Sequence, residues 1–261
     1  MNRLVTNLGM GLVFSFLIAP LMVVGGVSLN AQKRLLFPPE GLSLRWYDEL
    51  FTDLAWLVPV KNSLVIAACS ALLALLIALP LAYFLWRYRV FYAKALFTLG
   101  IAPFVLPPVI TALGFLIFWV TLGFYGHMSA VVISHGIFFV TLPLVTLSLG
   151  FESMGDDIVE AARSMGADEG MVFRSVVLPL VRPYMISGYA FAFVLSLNEY
   201  IIAYMVAGFT VETLPIKIFN SLRYGYTPVM ASVAVMFVLL AVGVFALVAR
   251  FGDLPKLLGK V

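Results

Sequence analysis

Long apolar segments separated by shorter polar stretches dominate this chain. A helix needs roughly 20 consecutive apolar residues to cross the hydrocarbon core of a bilayer. The pattern therefore predicts an all-α, polytopic membrane protein with six transmembrane helices, and we interpret residues 1–261 as a single transmembrane domain. The predicted spans cover about residues 8–27, 62–86, 95–122, 129–150, 183–206 and 229–248.

The composition agrees with helical membrane spans. Hydrophobic residues make up 63% of the chain and charged residues 11%, with a mean hydropathy of +1.07, whereas soluble domains are about 25% charged. The net charge of +3 comes from scattered basic residues, which leave no footprint for nucleic-acid binding. The single cysteine, Cys69, excludes an internal disulfide and a redox pair. The first apolar run is as long as a full span, so we interpret it as a retained helix rather than a cleaved signal peptide.

The distribution of Lys and Arg predicts the orientation, because these residues are enriched in cytoplasmic loops. With both termini in the cytoplasm, ten basic residues lie inside and six lie outside, the six in the longer loops, where the rule is weakest. We therefore expect the loop of residues 151–182 in the cytoplasm. The inner set is Arg3, Arg87, Arg89, Lys94, Arg163, Arg174, Arg182, Arg250, Lys256 and Lys260, and the outer set is Lys33, Arg34, Arg45, Lys61, Lys217 and Arg223.

The third and fourth predicted spans contain prolines that bear on their shape. The third contains Pro103, Pro107 and Pro108, and the fourth contains Pro143. Proline removes a backbone hydrogen bond and kinks a helix, and in a bilayer the freed carbonyl must find a neighbour or the water of a cavity. Two interpretations stay open: a kinked packing helix, or a third span that lines a pathway and is shaped by its kink.

The common catalytic motifs are absent from the sequence. It contains no Gly-x-x-x-x-Gly-Lys phosphate loop, no Gly-x-Ser-x-Gly elbow and no His-Glu-x-x-His pair. His127 and His135 are eight residues apart, which is a weak metal signal, and we interpret each as a hydrogen-bonded structural residue. We predict no catalytic residue, no metal site and no ATP site on this chain.

The loop between the fourth and fifth spans has the pattern of a short amphipathic helix. Ile158, Ala161, Ala162 and Met165 follow the i, i+3, i+4, i+7 spacing, which predicts a narrow apolar stripe that another surface can approach closely. Gly166 then stands where a helix end favours a left-handed residue.

A second short helix is predicted after this glycine. Asp168 is placed to cap it, and Pro179 is expected to end it before the fifth span. The acidic character of the loop argues against a helix lying on anionic lipid and favours insertion into a groove on a protein. The acids are Asp156, Asp157, Glu160, Asp168 and Glu169.

The spacing in this loop resembles the cytoplasmic signature of binding-protein-dependent ABC importer permeases. Glu160-Ala161-Ala162 is followed after three residues by Gly166, and after nine more by Val176-Val177-Leu178-Pro179. In that family the segment docks into a cleft of an ATPase subunit and transmits its closure to the membrane helices. The resemblance implies that the docking residues are Glu160, Ala161, Ala162, Arg163, Gly166, Asp168, Leu178 and Pro179.

The same resemblance implies a location and a set of partners. Permeases of this family lie in the bacterial inner membrane beside a second permease, two ATPase subunits and a periplasmic solute-binding protein. ATP and Mg²⁺ bind to the ATPase subunits, so no cofactor is expected on this chain.

A finer resemblance points to the second permease of spermidine/putrescine-type importers. It rests on Leu195-Ser196-Leu197-Asn198-Glu199 and on Leu214-Pro215-Ile216-Lys217-Ile218. It implies a partner permease of different sequence and a polyamine or related amine as the solute. Relatives in this subgroup also import opines, aminophosphonates and iron chelates, which stay open as solutes.

Glu199 is the carboxylate placed inside a predicted span. A charge there costs about 2.5–3.5 kcal/mol on insertion scales, so it needs a cavity or a partner. Two interpretations stay open: contact with a cationic solute, helped by neighbouring tyrosine rings, or a structural ion pair with Lys217, Arg223 or the partner permease. The candidate pathway residues are Asn198, Glu199, Tyr200, Tyr204, Pro107 and Pro108.

The leading hypothesis is therefore a permease subunit of an ABC importer, without catalytic activity of its own. One alternative is a secondary transporter or channel driven by an ion gradient, but the spans hold a single central carboxylate and no inverted repeat of broken helices. The other alternative is a structural subunit with no pathway.

Overall fold

The computed structural model describes residues 3–88, 91–225 and 227–251, and the described chain is helical. The all-α prediction is confirmed, since the only extended pairing in these ranges is an isolated bridge between Asn30 and Leu42. Of the basic residues used to predict the orientation, Arg89, Lys256 and Lys260 lie outside the described residues. The helices are α1 (Arg3–Ser28), α2 (Arg45–Thr52), α3 (Leu54–Tyr88), α4 (Phe91–Val105), α5 (Pro108–Thr121), α6 (Met128–Phe138), α7 (Thr141–Glu152), α8 (Asp156–Ser164), α9 (Glu169–Val172), α10 (Leu178–Asn198), α11 (Ile201–Ala207), α12 (Leu214–Tyr224) and α13 (Val229–Phe251), with a π-helical turn (Phe173–Val177) between α9 and α10.

Four helices are long and apolar enough to cross a membrane by themselves. They are α1, α3, the continuous helix from Glu169 to Asn198, and α13. Two bent pairs, α4 with α5 and α6 with α7, bring the number to six if each pair forms one span. The prediction of a six-span membrane protein is therefore supported, but the third and fourth spans are broken helices.

The third span differs most from its predicted form. A single kinked helix over residues 95–122 is wrong, because α4 ends at Val105, α5 begins at Pro108, and the two are bent by 109°. Two successive prolines both lack an N–H, and Pro107 restricts the residue before it to extended backbone. The Thr111 hydroxyl donates to the Pro103 carbonyl at 3.3 Å, which satisfies one of the acceptors that the break leaves free.

The second and fifth spans also differ from their predicted bounds. Helix α3 begins at Leu54, eight residues before the predicted start at 62, and continues through Pro59. The predicted fifth span of 183–206 is not a single helix, because the helix that begins at Glu169 stops at Asn198. Helix α11 follows as a separate short helix after Glu199 and Tyr200.

The chain divides into two compact units. The first takes in the residues up to Val58 together with Lys217–Val242, and the second takes in Pro59–Ile216 together with the residues from Gly243 on. In the second unit, α3 turns a face of alanines inward, and the small side chains allow neighbouring helices to approach closely. These fully buried alanines are Ala67, Ala71, Ala74, Ala78 and Ala82.

Helices α7 and α10 form the most extensive helix pair of the second unit. Gly188 of α10 lies against Pro143 and Thr146 of α7, and a Cβ at this glycine would stand 2.7 Å from the Pro143 Cα. Gly150 of α7 is covered by Tyr184 of α10 in the same way. Contact between small residues and backbone is how membrane helices pack without a hydrophobic driving force.

Replacement of Gly188 by Ala is expected to destabilise the protein. The added methyl group meets backbone that cannot move aside, and such overpacking costs about 1–3 kcal/mol. Gly114 of α5 is the matched control, because nothing lies within 4 Å of a Cβ placed there, and Gly→Ala in a helix gains about 0.5–1 kcal/mol. Thermal unfolding of the purified protein measures both variants. A Gly188→Ala midpoint equal to that of Gly114→Ala would show that the contact is loose.

Candidate docking loop and pathway site

Helix α8 ends in a Schellman motif at the predicted glycine. Gly166 has a φ of +89°, and its N–H donates to the Arg163 carbonyl at 2.8 Å. The N–H of Ala167 reaches back to the Ala162 carbonyl at 3.2 Å. These two bonds satisfy carbonyls that the helix end leaves free, and they require a residue that tolerates the left-handed region. The prediction of a sharp glycine turn is confirmed.

The two faces of α8 are not divided as the spacing predicts. Val159 and Ala162 are buried in the core of the second unit, at 4% and 6% exposure. Ile158, Ala161 and Met165 face outward, and Met165 is 83% exposed. The apolar stripe that a partner can reach therefore includes these three residues but not Ala162, which holds α8 to its own protein.

Two charged residues of the docking loop, Arg163 and Glu169, are paired with each other. Arg163 of α8 forms an ion pair with Glu169 of α9, and Arg87 at the end of α3 lies 3.6 Å from the same carboxylate. The Glu160 side chain is exposed, while its carbonyl accepts from the Ser164 hydroxyl at 2.9 Å. Glu169 thus links α8 and α9 to the end of the second span.

The second helix of the loop begins as predicted but does not stop. Asp168 caps α9, since its Oδ1 accepts from the Met171 N–H at 2.8 Å. The prediction that Pro179 ends this helix is wrong, because the helix continues into α10. A π-helical turn precedes the proline, and in it the Leu178 N–H bonds to the Phe173 carbonyl five residues back. Such a turn changes the position of the preceding carbonyl groups, with which a proline ring in a regular helix clashes. Leu178 is half-buried and Pro179 is exposed.

Aromatic rings connect this loop to α3 and α7. The rings of Tyr83 and Phe173 meet edge to face with centroids 4.9 Å apart. Trp86 stacks on Phe151 at 5.4 Å, and Phe151 is fully buried. Aromatic pairs in such arrangements add to the free energy of burial. The start of α10 and the ends of α3 and α7 therefore form one packed cluster behind the docking loop.

The break between α10 and α11 is built around Glu199. Its two carboxylate oxygens accept from the N–H groups of Ile202 and Ala203 at 2.8 and 3.0 Å, which caps the free N-terminus of α11. The His135 Nε2 lies 3.1 Å from Oε2, and the His135 Nδ1 lies 2.8 Å from the Ser196 hydroxyl. The side chains of His135 and Glu199 are only 1% and 8% exposed. The carboxylate is therefore held by two backbone N–H donors of α11 and lies beside the His135 imidazole.

The other predicted pathway residues lie around the same break or at the α4–α5 break. Asn198 is exposed and donates to the Val194 carbonyl at 2.8 Å. The rings of Tyr200 and Tyr204 stack with centroids 5.4 Å apart, and both residues are half-buried. Pro107 and Pro108 are exposed at the start of α5. Helix α11 packs on α5 and α6.

The sequence patterns missed two partners at these sites. His135 was expected to be a hydrogen-bonded structural residue, which its contact with Ser196 bears out, but its contact with Glu199 spans 64 residues of chain. Arg87 enters the sequence prediction only through the orientation rule, whereas in the structure it lies 3.6 Å from Glu169. No local sequence signal indicates either contact, since each joins residues from distant parts of the chain. Within the described ranges, no three His, Cys, Asp or Glu side chains form a group that could hold a metal ion.

Known proteins resemble this chain over most of its length. Residues 70–253 match the family described as the binding-protein-dependent transport system inner membrane component. The putrescine transport system permease protein PotI of Escherichia coli (strain K12) is 36% identical over 245 residues, covering 91% of this chain and 86% of PotI. The spermidine/putrescine transport system permease protein PotC of Haemophilus influenzae is 29% identical, covering 92% and 93%.

A solved structure supports the fold. A chain of a bacterial ABC transporter involved in the import of the acidic polysaccharide alginate superposes with a TM-score of 0.72 at 17% identity, covering 96% of this chain and 98% of that chain. The chain therefore belongs to the binding-protein-dependent transport system inner membrane component family and is an inner-membrane ABC importer permease, homologous to permeases of putrescine and spermidine transport.

Proposed function

We propose that this permease forms half of the pathway for a polyamine or a related small amine. The observation that carries the proposal is the 36% identity with a putrescine permease over 91% of the chain. The solute would be delivered by a periplasmic binding protein, and a neighbouring permease of different sequence would supply the other half. An alginate transporter of this fold has been solved in complex with its periplasmic protein, which supports a partner of that kind.

The energy for transport would come from two separate ATPase subunits that bind ATP and Mg²⁺. Their docking site would be α8 and the turn at Gly166, with Ile158, Ala161 and Met165 as the apolar contact. Exposed apolar side chains beside the acidic residues of this loop fit a groove on a protein better than a surface of anionic lipid. This assignment places α8, both termini and the loop of residues 151–182 in the cytoplasm.

Movement of the docked loop would reach the membrane helices by two routes. The first is the Glu169 carboxylate, which contacts Arg163 of α8 and Arg87 of α3. The second is the aromatic cluster, in which Phe173 meets Tyr83 of α3. Helix α10 continues from this cluster as one unbroken rod to Asn198, so a displacement at its cytoplasmic end is transmitted to the break at Glu199.

The cationic solute would pass this break on its exposed side. Tyr200 and Tyr204 present aromatic faces that attract an ammonium group, and Asn198 adds an exposed amide. Glu199 would contribute indirectly in the described conformation, because its carboxylate is engaged with His135 and with α11. Its negative charge still favours a cation in the low-dielectric surroundings.

Uptake by the reconstituted complex tests this function. We expect proteoliposomes that contain this chain, its partner permease and the ATPase subunits to take up labelled putrescine only with internal ATP and added binding protein. Unlabelled spermidine should compete, while a neutral sugar of similar size should not. Uptake without the ATPase or the binding protein would contradict the assembly, and ATP-driven uptake of another solute class would contradict the amine assignment.

A further inference from the structure

The loop that follows α1 is folded around one buried residue. The Asn30 side chain is fully buried, and its Oδ1 accepts from the N–H groups of Gln32 and Glu40 at 3.0 and 3.2 Å. Its carbonyl accepts from the indole N–H of Trp46, the 3%-exposed anchor of α2, at 2.6 Å. The loop is therefore a defined structure with a fixed surface.

This loop exposes apolar side chains in one continuous run. Leu35, Leu36 and Phe37 are 37%, 43% and 53% exposed, and together we call them the apolar rim. Leu42 and Leu44 on the returning segment are 75% and 68% exposed. A protein surface in water rarely presents such a cluster, so the rim indicates contact with lipid or with another protein.

The position of Phe37 places the rim at the end of the membrane span. Its ring lies directly on Gly26 of α1, where a Cβ would stand only 2.7 Å from a ring carbon. Gly26 belongs to the last turn of α1, one residue before the apolar run ends at Val27. The rim therefore lies level with the boundary between the hydrocarbon core and the headgroups, because a run of about 20 residues matches the thickness of that core.

The charges beside the rim favour lipid over a protein groove. Lys33 and Arg34 are exposed and directly precede it, while Glu40 is the only acid between residues 31 and 44. Basic residues flanking apolar ones at a bilayer surface place their stems along the acyl chains and their charges on the phosphates. The acidic loop around α8 has the opposite balance.

We propose that the apolar rim is inserted into the bilayer surface at the C-terminal end of α1, with Lys33 and Arg34 on the phosphates of anionic phospholipids. The inserted rim then anchors the loop to the bilayer surface, and the hydrogen bonds of Asn30 and Trp46 maintain the loop conformation. This interaction does not depend on which solute the protein transports.

Fluorescence quenching tests the insertion of the rim. A nitrobenzoxadiazole dye on Leu36→Cys, in a Cys69→Ala background, is measured in the full transporter complex in nanodiscs of phosphatidylethanolamine and phosphatidylglycerol. We expect strong quenching by lipid that carries a nitroxide near the headgroup and little quenching by aqueous iodide. The same dye on Asp48→Cys, an exposed acid of α2, is the matched control and should show the reverse.

Two other quenching patterns would overturn the insertion. Iodide quenching of Leu36→Cys as strong as that of Asp48→Cys means that the rim faces water. Protection from both quenchers means that another protein subunit covers it.

The preference for anionic lipid is tested separately. Each basic residue near an anionic surface favours association by about fivefold. Replacement of both Lys33 and Arg34 by Gln should therefore reduce the excess quenching by nitroxide-labelled phosphatidylglycerol over labelled phosphatidylcholine by at least that factor. An unchanged lipid preference would contradict the headgroup contact.

Discussion

Gly166→Pro is expected to abolish ATPase docking and uptake while the protein still inserts into the membrane. Proline fixes φ near −65° and has no N–H, whereas this turn needs a φ of +89° and a bond from the Gly166 N–H to Arg163. Loss of the turn costs about 3 kcal/mol or more, which lowers the population of the docking-competent loop by about a hundredfold. Co-purification of the ATPase with the tagged permease measures this loss of docking.

Two variants separate this effect from general damage to the loop. Gly166→Asn should retain most of the ATPase, because Asn tolerates the left-handed region. Gly155→Ala, at the other end of α8, should behave as the native protein, because Gly155 has a φ of −66° and nothing within 4 Å of an added Cβ. Normal ATPase recovery with Gly166→Pro would mean that docking does not use the end of α8.

Glu199→Gln is expected to lower the stability of the protein and its uptake of every solute together. The amide has one acceptor oxygen where the carboxylate has two, so a buried N–H of α11 loses its partner. A buried donor left without a partner costs about 1–3 kcal/mol. Glu152→Gln, the same change at an exposed carboxylate of α7, is the control and should leave the midpoint of thermal unfolding unchanged.

A double-mutant cycle with His135→Ala tests whether the two side chains act as a pair. Residues in direct contact show coupling energies of about 0.5–3 kcal/mol, so the double variant should lose less stability than the sum of the two single variants. Strictly additive effects would contradict the pairing. A Glu199→Gln variant of native stability that loses uptake of cations alone would instead assign the carboxylate to the solute.

The contacts of Glu199 explain how a buried carboxylate is tolerated here. The break after Asn198 exposes the N-terminus of α11, which attracts a negative charge. The carboxylate fills this position, and the imidazole of α6 completes its contacts. The continuous helix runs from Glu169 to Asn198, so the pair lies at the end opposite the docking loop.

Local features of the docking loop could be predicted because they depend on neighbouring residues. The left-handed Gly166 and the Asp168 cap follow from backbone sterics and from hydrogen bonds over three residues. The burial of Ala162 could not be predicted in this way. Ala162 belongs to the same helical stripe as Ala161, and only packing against the rest of the second unit decides which of the two is covered.

The breaks in the spans also combine a local cause, which can be predicted, with a tertiary outcome, which cannot. Pro103, Pro107 and Pro108 indicate that the third span is irregular, but the 109° angle between α4 and α5 depends on what each half packs against. Pro179 has the same local chemistry, and the helix nevertheless continues through it after a π-helical turn. Proline weakens a helix locally, and neighbouring helices decide whether it bends, ends or continues.

Composition and short-range spacing directly encode the membrane class, the helical fold, the docking signature and the resemblance to ABC importer permeases, so these could be predicted from the residues alone. Three contacts become visible once the chain is folded: Glu199 lies beside His135, Glu169 links α8 to α3, and Phe37 lies on Gly26. Each of these contacts joins residues that are far beyond one helical turn from each other. No periodicity specifies such a contact, since it exists only once separate helices have packed together.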